Sequence, residues 1–490
     1  MSSMMLLIAI VLPIGGSIAI PLIRTKSRRW MEWYTELLTI ATSVIVWMIL
    51  FENPDTLTLL SSSSKASFAL QIDGLGKVFA GLISVLWPLA TLYSFEYMEH
   101  EQRKRPFFMF YIMTYGVTLG ICFSANLLTM YCFYEALTLV TVPLVIHTFT
   151  REAVLATHKY IYYSMGGAAM GFIAVVIMIK YGTGGNFILG GTLDMASAML
   201  HSNVMLLLYV LAFLGFSIKA AMFPFHAWIP DAGVAPTPVT ALLHAVAVVK
   251  AGAFAIARLT YYSFGTEFLK GTWAQTVVMC LAMFTIVYGC SMAVKETHMK
   301  RRLAFSTVAN LSYIIFGFTL MTPESFSAGL SHMVFHAIMK ISAFFCVGAI
   351  MHQTRKNFVH ETDGFARKMP WVYAAFTVSA IGMMGVPGTA GFISKWNLAA
   401  AALNSGNKVA YFGVLALLIS ALLTTIYMMT MVIRGFFPKR DFDMETISTV
   451  KDPTWKMILP LMVFTVAIIV FGFFARPLMQ FLDGVAWGMQ

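Results

Sequence analysis

Long apolar runs, separated by short polar loops, follow one another along nearly the whole chain. A run of about 20 apolar residues is long enough for a helix to cross the hydrocarbon core of a bilayer. By this measure the sequence predicts about fourteen spans, at 3–23, 33–51, 74–97, 107–124, 127–149, 160–180, 204–229, 239–262, 275–294, 303–321, 328–352, 371–404, 409–433 and 457–475. We therefore expect an all-α polytopic membrane protein with no soluble domain.

Positive charge is distributed unevenly between the loops on the two sides of these spans. The basic loops are 24–32, 98–106, 151–159, 295–302, 354–369 and 434–456. Of the 33 Lys and Arg residues, 22 lie in these loops, 6 lie near the other side and 5 lie within spans. Cytoplasmic loops of membrane proteins carry the excess of Lys and Arg. We therefore expect these loops in the cytoplasm and both termini outside, in the inner or plasma membrane of a prokaryote.

Composition excludes several other classes of function. Charged residues make up 11% of the chain, against about 25% in soluble proteins. The net charge of +11 is explained by the basic loops, so we expect no nucleic-acid partner. The five cysteines lie in apolar runs without a CxxC pair or a Cys/His cluster, which argues against metals and redox cofactors. The chain has no phosphate-binding loop and no nucleophile elbow, so we expect no catalytic site of its own.

Two of the predicted spans contain helix-breaking residues. The first, MFPFHAWIPDAGVAPTP at 222–238, has four prolines, and the second, MGVPGTAGFISK at 384–395, combines a proline with three glycines. Broken backbone at membrane depth is tolerated only against protein or water. Paired broken helices are typical of transporters built from inverted repeats around a central ion site. Two unrelated proline kinks are the alternative.

These breaks suggest a division of the chain into four parts. The repeats would be 106–262, with helices 4–8, and 275–433, with helices 9–13. Helices 1–3 would occupy 1–105, and a cytoplasmic loop with the last helix would occupy 434–490.

Six charged side chains lie inside apolar stretches, away from the ends of the predicted spans, and each costs at least about 2.5–3.5 kcal/mol there. They are Glu135, Lys219, Lys250, Arg258, Lys340 and Lys395. Such residues usually mark an ion path or a proton relay. Arg258 keeps its proton at any relevant pH, so we interpret it as a structural or interface charge. Glu135 is the one carboxylate that we place in the middle of a span.

The chemistry of a buried acid and a buried amine suits proton transfer. A lone carboxylate in hydrocarbon takes up a proton, whereas beside a lysine it stays ionised. Glu135 could therefore act as a switch, or it could form a static ion pair between two helices. Removal from water favours the neutral form of a lysine, which would let Lys219 and Lys250 transfer protons reversibly. A lysine near a helix end could instead extend to the lipid headgroups and take no part in proton transfer.

Histidines extend this set of titratable groups. His332, His336 and Lys340 recur at every fourth residue, which places them on one helical face with about 6 Å per step. One bridging water per step would connect them. Two such histidines could hold a metal, but no third ligand and no HExxH glutamate are evident. His244 could be a hydrogen-bonded core residue, or it could join the relay because Lys250 follows within two turns.

Several motifs resemble those of one family of membrane subunits. The strongest is SIKAAMFPFHAWIPDAGVAPTPVTALLHA, and further matches are YCFYEALTLVTVPL, KRRLAFSTVANLSY, HMVFHAIMKISAFFCVGAI and GVPGTAGFISKW. They look like the antiporter-like subunits shared by respiratory complex I, membrane-bound hydrogenases and Mrp Na+/H+ antiporters. The resemblance covers about 75–435.

This resemblance implies fourteen helices, with two inverted five-helix repeats that each contain a broken helix, and a hydrated polar axis across the membrane. Glu135 would correspond to the family glutamate and Lys219 to its lysine partner. His244 and Lys250 would fall on two positions of the eighth helix of which family members use one or the other, and this chain has both. Some members have glutamate in place of Lys395. The implied relay consists of Glu135, Lys219, His244, Lys250, His332, His336, Lys340 and Lys395.

We accordingly predict proton translocation by an antiporter-like subunit of a multisubunit complex. The host would be an Mrp-type cation/proton antiporter or a redox-driven pump, with other membrane subunits and lipid as partners and with sodium passing through partner subunits if at all. The loop 354–369 looks most like Mrp sequences, and the end of the chain near 490 favours a short member such as the D-type subunit of Mrp antiporters.

Two other functions remain as alternatives at this point. A sodium-conducting subunit would need oxygen ligands, which are scarce within the predicted spans. A structural membrane-arm subunit of a redox enzyme would use the buried charges only to pair helices.

Overall fold

The computed structural model describes residues 3–22, 28–63, 65–439 and 444–489. Parts of two predicted basic loops, 24–27 and 440–443, lie outside the described residues. The first half of the chain forms α1 (Met4–Ala19), α2 (Arg28–Glu52), α3 (Gly74–Tyr97), α4 (Lys104–Cys122), α5 (Leu127–Val145), α6 (Arg151–Tyr181), α7 (Met195–Leu200) and α8 (Ser202–Lys219).

The second half of the chain continues with helices of very unequal length. They are α9 (Trp228–Ala232), α10 (Thr237–Ala241), α11 (Val248–Ala257), α12 (Thr266–Leu269), α13 (Trp273–Lys295), α14 (Met299–Thr319), α15 (Pro323–Thr354), α16 (Pro370–Met384), α17 (Ala390–Asn404), α18 (Ala410–Phe436), α19 (Trp455–Phe473) and α20 (Arg476–Ala486). Two π-helical turns, Leu242–Val246 and Arg258–Phe264, extend α10 and α11 into one rod. Single 3-10 turns lie at Ile20–Leu22, Met98–His100, Phe225–Ala227, Val359–Glu361, Phe365–Arg367 and Met444–Ile447.

Helices coincide with every predicted span, so the all-helical polytopic fold is confirmed. Within the described residues, 11 helices are long and apolar enough to cross a membrane, and α16 is a shorter apolar helix. The number of fourteen spans stays a prediction, and so does the division into repeats. The span predicted at 204–229 is too long, because α8 ends at Lys219.

A small β-hairpin lies between α2 and α3, where the sequence indicated only a loop. Its strands, β1 (Leu57–Ser63) and β2 (Ala66–Leu70), pair antiparallel. The amide of Asn126 at the start of α5 donates a hydrogen bond to the Ser67 carbonyl at 3.0 Å. The hairpin escaped prediction because its strands are far shorter than the apolar runs by which spans are recognised.

Two rods form the centre of the bundle. The most apolar 18-residue windows of α15 and of the rod 237–264 are completely buried. A glycine allows one of these rods to pass the broken end of α8. A Cβ atom at Gly252 would lie 2.5 Å from the Ala220 nitrogen and 2.9 Å from the Lys219 carbonyl carbon, closer than any side chain tolerates. This contact brings the end of α8 against α11.

A buried ion pair ties the rod 237–264 to the start of α3. The Arg258 side chain is 1% exposed and donates through both terminal nitrogens to the two Asp73 oxygens. The guanidinium also lies 4.6 Å from the ring centres of Phe187 and Tyr262. Asp73 caps α3 as well, by accepting from the Gly76 amide at 2.9 Å. This geometry agrees with the structural role expected for Arg258.

We expect Asp73→Asn to lower the stability of the fold by about 3 kcal/mol, because it leaves the Arg258 charge buried without a counter-ion. Asparagine still caps a helix, so the change isolates the ion pair. Thermal unfolding of the purified protein measures the effect. Asp194→Asn is the matched control, since Asp194 also caps a helix but accepts from the Ala196 amide and the Ser197 hydroxyl rather than from a buried arginine. An equal effect of the two substitutions would contradict the assignment.

Candidate functional site

The buried titratable side chains begin with a pair between α5 and α8. The Lys219 ammonium lies 3.6 Å from Glu135 Oε1, and the side chains are 2% and 29% exposed. Lys219 also donates a hydrogen bond to the Tyr134 carbonyl and lies 3.4 Å from the centre of the Tyr134 ring. The ammonium is thus held by a carboxylate, a carbonyl and a ring face together. The predicted partnership of Glu135 and Lys219 is present.

A second contact joins the two central rods. The Lys250 ammonium on α11 lies 2.6 Å from Nδ1 of His336 on α15. Both side chains are completely buried. An imidazole nitrogen can accept a hydrogen bond from an ammonium only when it carries no proton. The pair can therefore share a proton between amine and ring.

A third group of contacts connects α15 with the second broken helix. His332 Nδ1 lies 2.9 Å from Ser394 Oγ on α17, and the rings of His332 and His336 stack with centres 5.9 Å apart. Lys395, which follows Ser394 in the chain, donates to the carbonyls of Met383 and Met384 at 2.6 and 3.3 Å. Those carbonyls lie at the end of α16, where the helical hydrogen bonds stop. The break therefore provides the acceptors for Lys395.

His244 and Lys340 are not hydrogen-bonded to these groups within the described residues. His244 is in a π-helical turn with its ring 5.0 Å from Phe344, and its charged neighbours are Lys340 and Lys300. Neither ring nitrogen of His244 has a hydrogen-bond partner within the described residues, and the same holds for the Lys340 ammonium. The sequence suggested that His244 either joins the relay, with Lys250 within two turns, or is a core residue, and this stays a prediction; Lys340 is a further charged neighbour.

Four side chains at the site were missed from the sequence. Tyr134 supports Lys219, and Ser394 binds His332. The Tyr313 ring lies 5.1 Å from the His332 ring and 5.2 Å from the Lys395 ammonium. Lys300, in the first turn of α14, donates to the Ala235 carbonyl at 2.8 Å. The adjacency of Tyr134 to Glu135 and of Ser394 to Lys395 was the only available signal.

One carboxylate requires a correction. Because α2 begins at Arg28, Glu36 lies two turns inside this helix, and one of its oxygens is buried without a protein partner among the described residues. Glu135 is therefore not the sole acidic side chain well inside a helix that can span the membrane. Glu36 lies on α2, away from the contacts of α5, α8, α11 and α15 described above.

A polar indentation lies next to the first broken helix. Its volume is about 360 Å³. Asp231 at its wall pairs with Lys159 at 2.6 Å and with Arg301 at 3.3 Å. Beyond Asp231, His226 is buried against the Tyr288 ring. The indentation brings water close to the short helices that follow Lys219.

Taken together, these contacts form a line of proton donors and acceptors across the bundle. The line runs from Glu135 and Lys219 through Lys250 and His336 to His332 and Lys395, without a direct hydrogen bond between Lys219 and Lys250. Within the described residues, no cluster of three His, Cys, Asp or Glu side chains could hold a metal ion. The arrangement suits the movement of protons through alternating lysine, histidine and water.

Comparison with known proteins places the chain among membrane subunits. The family model described as NADH:quinone oxidoreductase/Mrp antiporter, TM, matches 124–424. A second model, described as NADH-ubiquinone oxidoreductase (complex I), chain 5 N-terminus, matches 59–108. The first match contains every residue of the predicted relay.

Curated relatives are considerably longer than this chain. The A-type subunit of the Na(+)/H(+) antiporter of Alkalihalophilus pseudofirmus is 32% identical over 438 residues, which are 83% of this chain and 52% of that protein. The A1-type subunit of the Staphylococcus aureus Na(+)/H(+) antiporter is 26% identical over 503 residues, with 95% and 61% covered. The chain thus spans roughly half of these relatives. Both relatives are of the A type, so the expected likeness to the D type is not confirmed.

Solved structures share the fold. A chain of the membrane-bound sulfane sulfur reductase, an archaeal respiratory membrane complex, superposes with a TM-score of 0.84 at 22% identity, over 98% of this chain and 97% of that chain. A chain of the Mrp complex from Dietzia sp. DQ12-45-1b gives 0.84 at 23% identity, over 98% and 52%. At these identities the likeness concerns the fold alone.

We expect ordered water at the buried nitrogens that lack protein partners, since buried polar groups in native proteins are nearly always hydrogen-bonded. These atoms are both ring nitrogens of His244, Nε2 of His332 and His336, and the Lys340 ammonium. A high-resolution map should show water at about 2.7–3.2 Å from them. The Tyr93 hydroxyl is the control: it already donates to the Phe345 carbonyl, so no water is expected there. A map without water at these nitrogens would refute a hydrated relay.

Proposed function

This chain belongs to the family of membrane subunits described as NADH:quinone oxidoreductase/Mrp antiporter, and on that basis we propose that it translocates protons across the membrane. The observation that carries the proposal is the buried line of lysine and histidine side chains. Several charges at membrane depth destabilise the fold, and a bundle without a transport function would not need them. Because each neighbour on the line can accept or donate a proton, the charges are suited to transport.

The proposed route follows the contacts of the structure. A proton reaches Lys219 from the side of the Asp231 indentation, moves through water to Lys250, and passes to His336 across the 2.6 Å contact. It continues to His332 and leaves near Lys395. His244 and Lys340, which the sequence pattern had suggested for the main line, then serve as a branch beside His336.

The pair of Glu135 and Lys219 acts as the gate of this route. The carboxylate stabilises the charged form of the lysine across 3.6 Å. When the pair separates, the ammonium loses this support and its proton moves to the next acceptor. The contact is longer than an ordinary hydrogen-bonded ion pair, which suits a pair that must open.

The proposed orientation places the basic loops and the Asp231 indentation in the cytoplasm, and both termini outside. The excess of Lys and Arg in those loops supports it. The membrane is the plasma membrane of a prokaryote, in keeping with the bacterial relatives.

The chain works together with other membrane subunits. The relatives are named as antiporter subunits, and similar folds occur in an Mrp complex and in an archaeal respiratory complex. We propose that the chain works within such an assembly, which supplies the driving force through a sodium gradient or a redox reaction. Sodium then crosses through partner subunits, because the line described here is built from nitrogen donors rather than from the oxygen ligands that metal cations prefer.

We expect Lys219→Ala to abolish proton flux while the complex still assembles, because the gate loses its proton carrier. Glu135→Gln should assemble normally and reduce flux at least about tenfold, the effect of destabilising the Lys219 charge by roughly one pKa unit. The measurement is pH-dependent fluorescence in vesicles that contain the purified complex.

The controls are Lys180→Ala and Glu267→Gln, two exposed positions away from the line. A purely structural subunit would give the opposite pattern, with assembly lost in Lys219→Ala. Wild-type flux in Glu135→Gln would refute the gate.

Substitutions of Lys395 distinguish a role in proton transfer from a purely electrostatic role. We expect Lys395→Ala to lose transport, because no titratable group remains at this step, and Lys395→Glu to retain part of it, because a carboxylate also relays protons. Flux is measured alongside expression and assembly, with Lys408→Ala in the adjacent loop as the control. If Lys395→Ala pumps normally while Lys395→Glu fails, Lys395 is not the exit residue.

A further inference from the structure

A deep apolar groove lies on the flank of the bundle, away from the buried line of lysines and histidines. Five helices enclose it, namely α2, α3, α15, α19 and α20, and its volume is about 580 Å³. Its walls are aliphatic and aromatic apart from two polar residues, Asn53 and Lys77. Both lie at the same end, because α2 ends just before Asn53 and α3 begins just before Lys77.

One stripe of α3 forms the length of the groove. It consists of Lys77, Val78, Gly81, Leu82, Val85, Leu86 and Leu89. Twelve residues separate its ends, which corresponds to about 18 Å along a helix. One leaflet of the bilayer core is about 15 Å deep, half of roughly 30 Å. The groove is therefore one leaflet long and too short to seat a helix that crosses the membrane.

Lys77 is a free cation at the rim of this groove. Its ammonium has neither a hydrogen bond nor an ion pair within the described residues. The carboxylate one turn before it, Asp73, is already held by Arg258. Because Lys77 lies in the first turn of a helix that spans the membrane, its charge is at the level of the lipid headgroups.

The groove also reaches the central rod α15. Val334 and Ile338 of this helix line its deep end. Each is 8% exposed, the largest value among the side chains between Ser325 and Ile350. Between Ser325 and Ile350, the groove is thus the place where the helix that carries His332 and His336 is least covered by protein.

We propose that this groove binds one phospholipid, with an acyl chain along α3 and an anionic headgroup at Lys77. The apolar walls match the hydrocarbon chain, the length matches one leaflet, and the ammonium supplies the charge complementary to a phosphate. Gly81 leaves room for the chain, since a Cβ atom there would meet only a Leu50 methyl at 3.4 Å. The lipid completes the packing around Val334 and Ile338.

Native mass spectrometry of the purified protein with phosphatidylglycerol or phosphatidylcholine tests the headgroup. The wild-type protein should retain one lipid and prefer the anionic one. Lys77→Gln should reduce that preference about fivefold, the effect of one lysine near an anionic lipid. Lys270→Gln, an equal charge change in an exposed loop, should leave the preference unchanged. An undiminished preference in Lys77→Gln overturns the proposed headgroup site.

A second pair of variants tests the groove itself. Gly81→Phe places a ring in the path of the acyl chain and should abolish retention of both lipids. Gly166→Phe, on an open surface of α6, is the matched control and should retain them. Val85→Phe blocks the groove from an exposed position if the glycine variant does not fold. Retention of lipid by the blocked variants, or a partner subunit seated in the groove of the assembled complex, overturns the proposal.

Discussion

The cost of keeping an ammonium inside a membrane governs this structure. Each buried lysine must find acceptors that water would otherwise provide. The fold supplies them from the end of an interrupted helix in one case and from a neighbouring intact helix in another. Lys395 donates to the carbonyls freed at the end of α16. Lys219, at the end of α8, uses the Tyr134 carbonyl and the Glu135 carboxylate. The break after α16 is therefore part of the chemistry, because it frees the backbone carbonyls that Lys395 uses.

The same bundle handles its buried charges in two different ways. Arg258 and Asp73 form a bidentate pair that engages both terminal nitrogens of the guanidinium, and such a pair favours one fixed geometry. The lysines of the central line are held less completely. Lys219 lies 3.6 Å from its carboxylate, and Lys250 faces the His336 imidazole, which can itself take up or release a proton. The charges on the proposed proton route are thus partnered by groups that can exchange a proton or separate.

The position of the line depends on how tightly the central rods can approach. Gly252 lets α11 pass the end of α8, and α15 then lies close enough for His336 to meet Lys250. Flanking helices enclose these rods almost completely. The groove beside α3 leaves part of α15 less well covered by these flanking helices, and a lipid bound there would complete the apolar surroundings of α15.

Much of this protein is determined by local sequence. Apolar run length predicts the helices, since a span needs about 20 such residues. Proline and glycine mark both breaks, and the fourfold spacing of His332, His336 and Lys340 places them along α15, because these are properties of neighbouring residues. The hairpin at 57–70 and the inward position of Glu36 were not foreseen, because neither produces a long run or a periodic pattern.

Only the tertiary structure decided which side chains meet. Lys250 and His336 are 86 residues apart, and His332 and Ser394 are 62 apart. Nothing in the local pattern specifies such pairs. His244 is a further example, because its charged neighbours in the fold, Lys340 and Lys300, lie far from it along the chain. Helical periodicity fixes the face on which a residue lies, whereas the partner depends on how separate helices pack and cross.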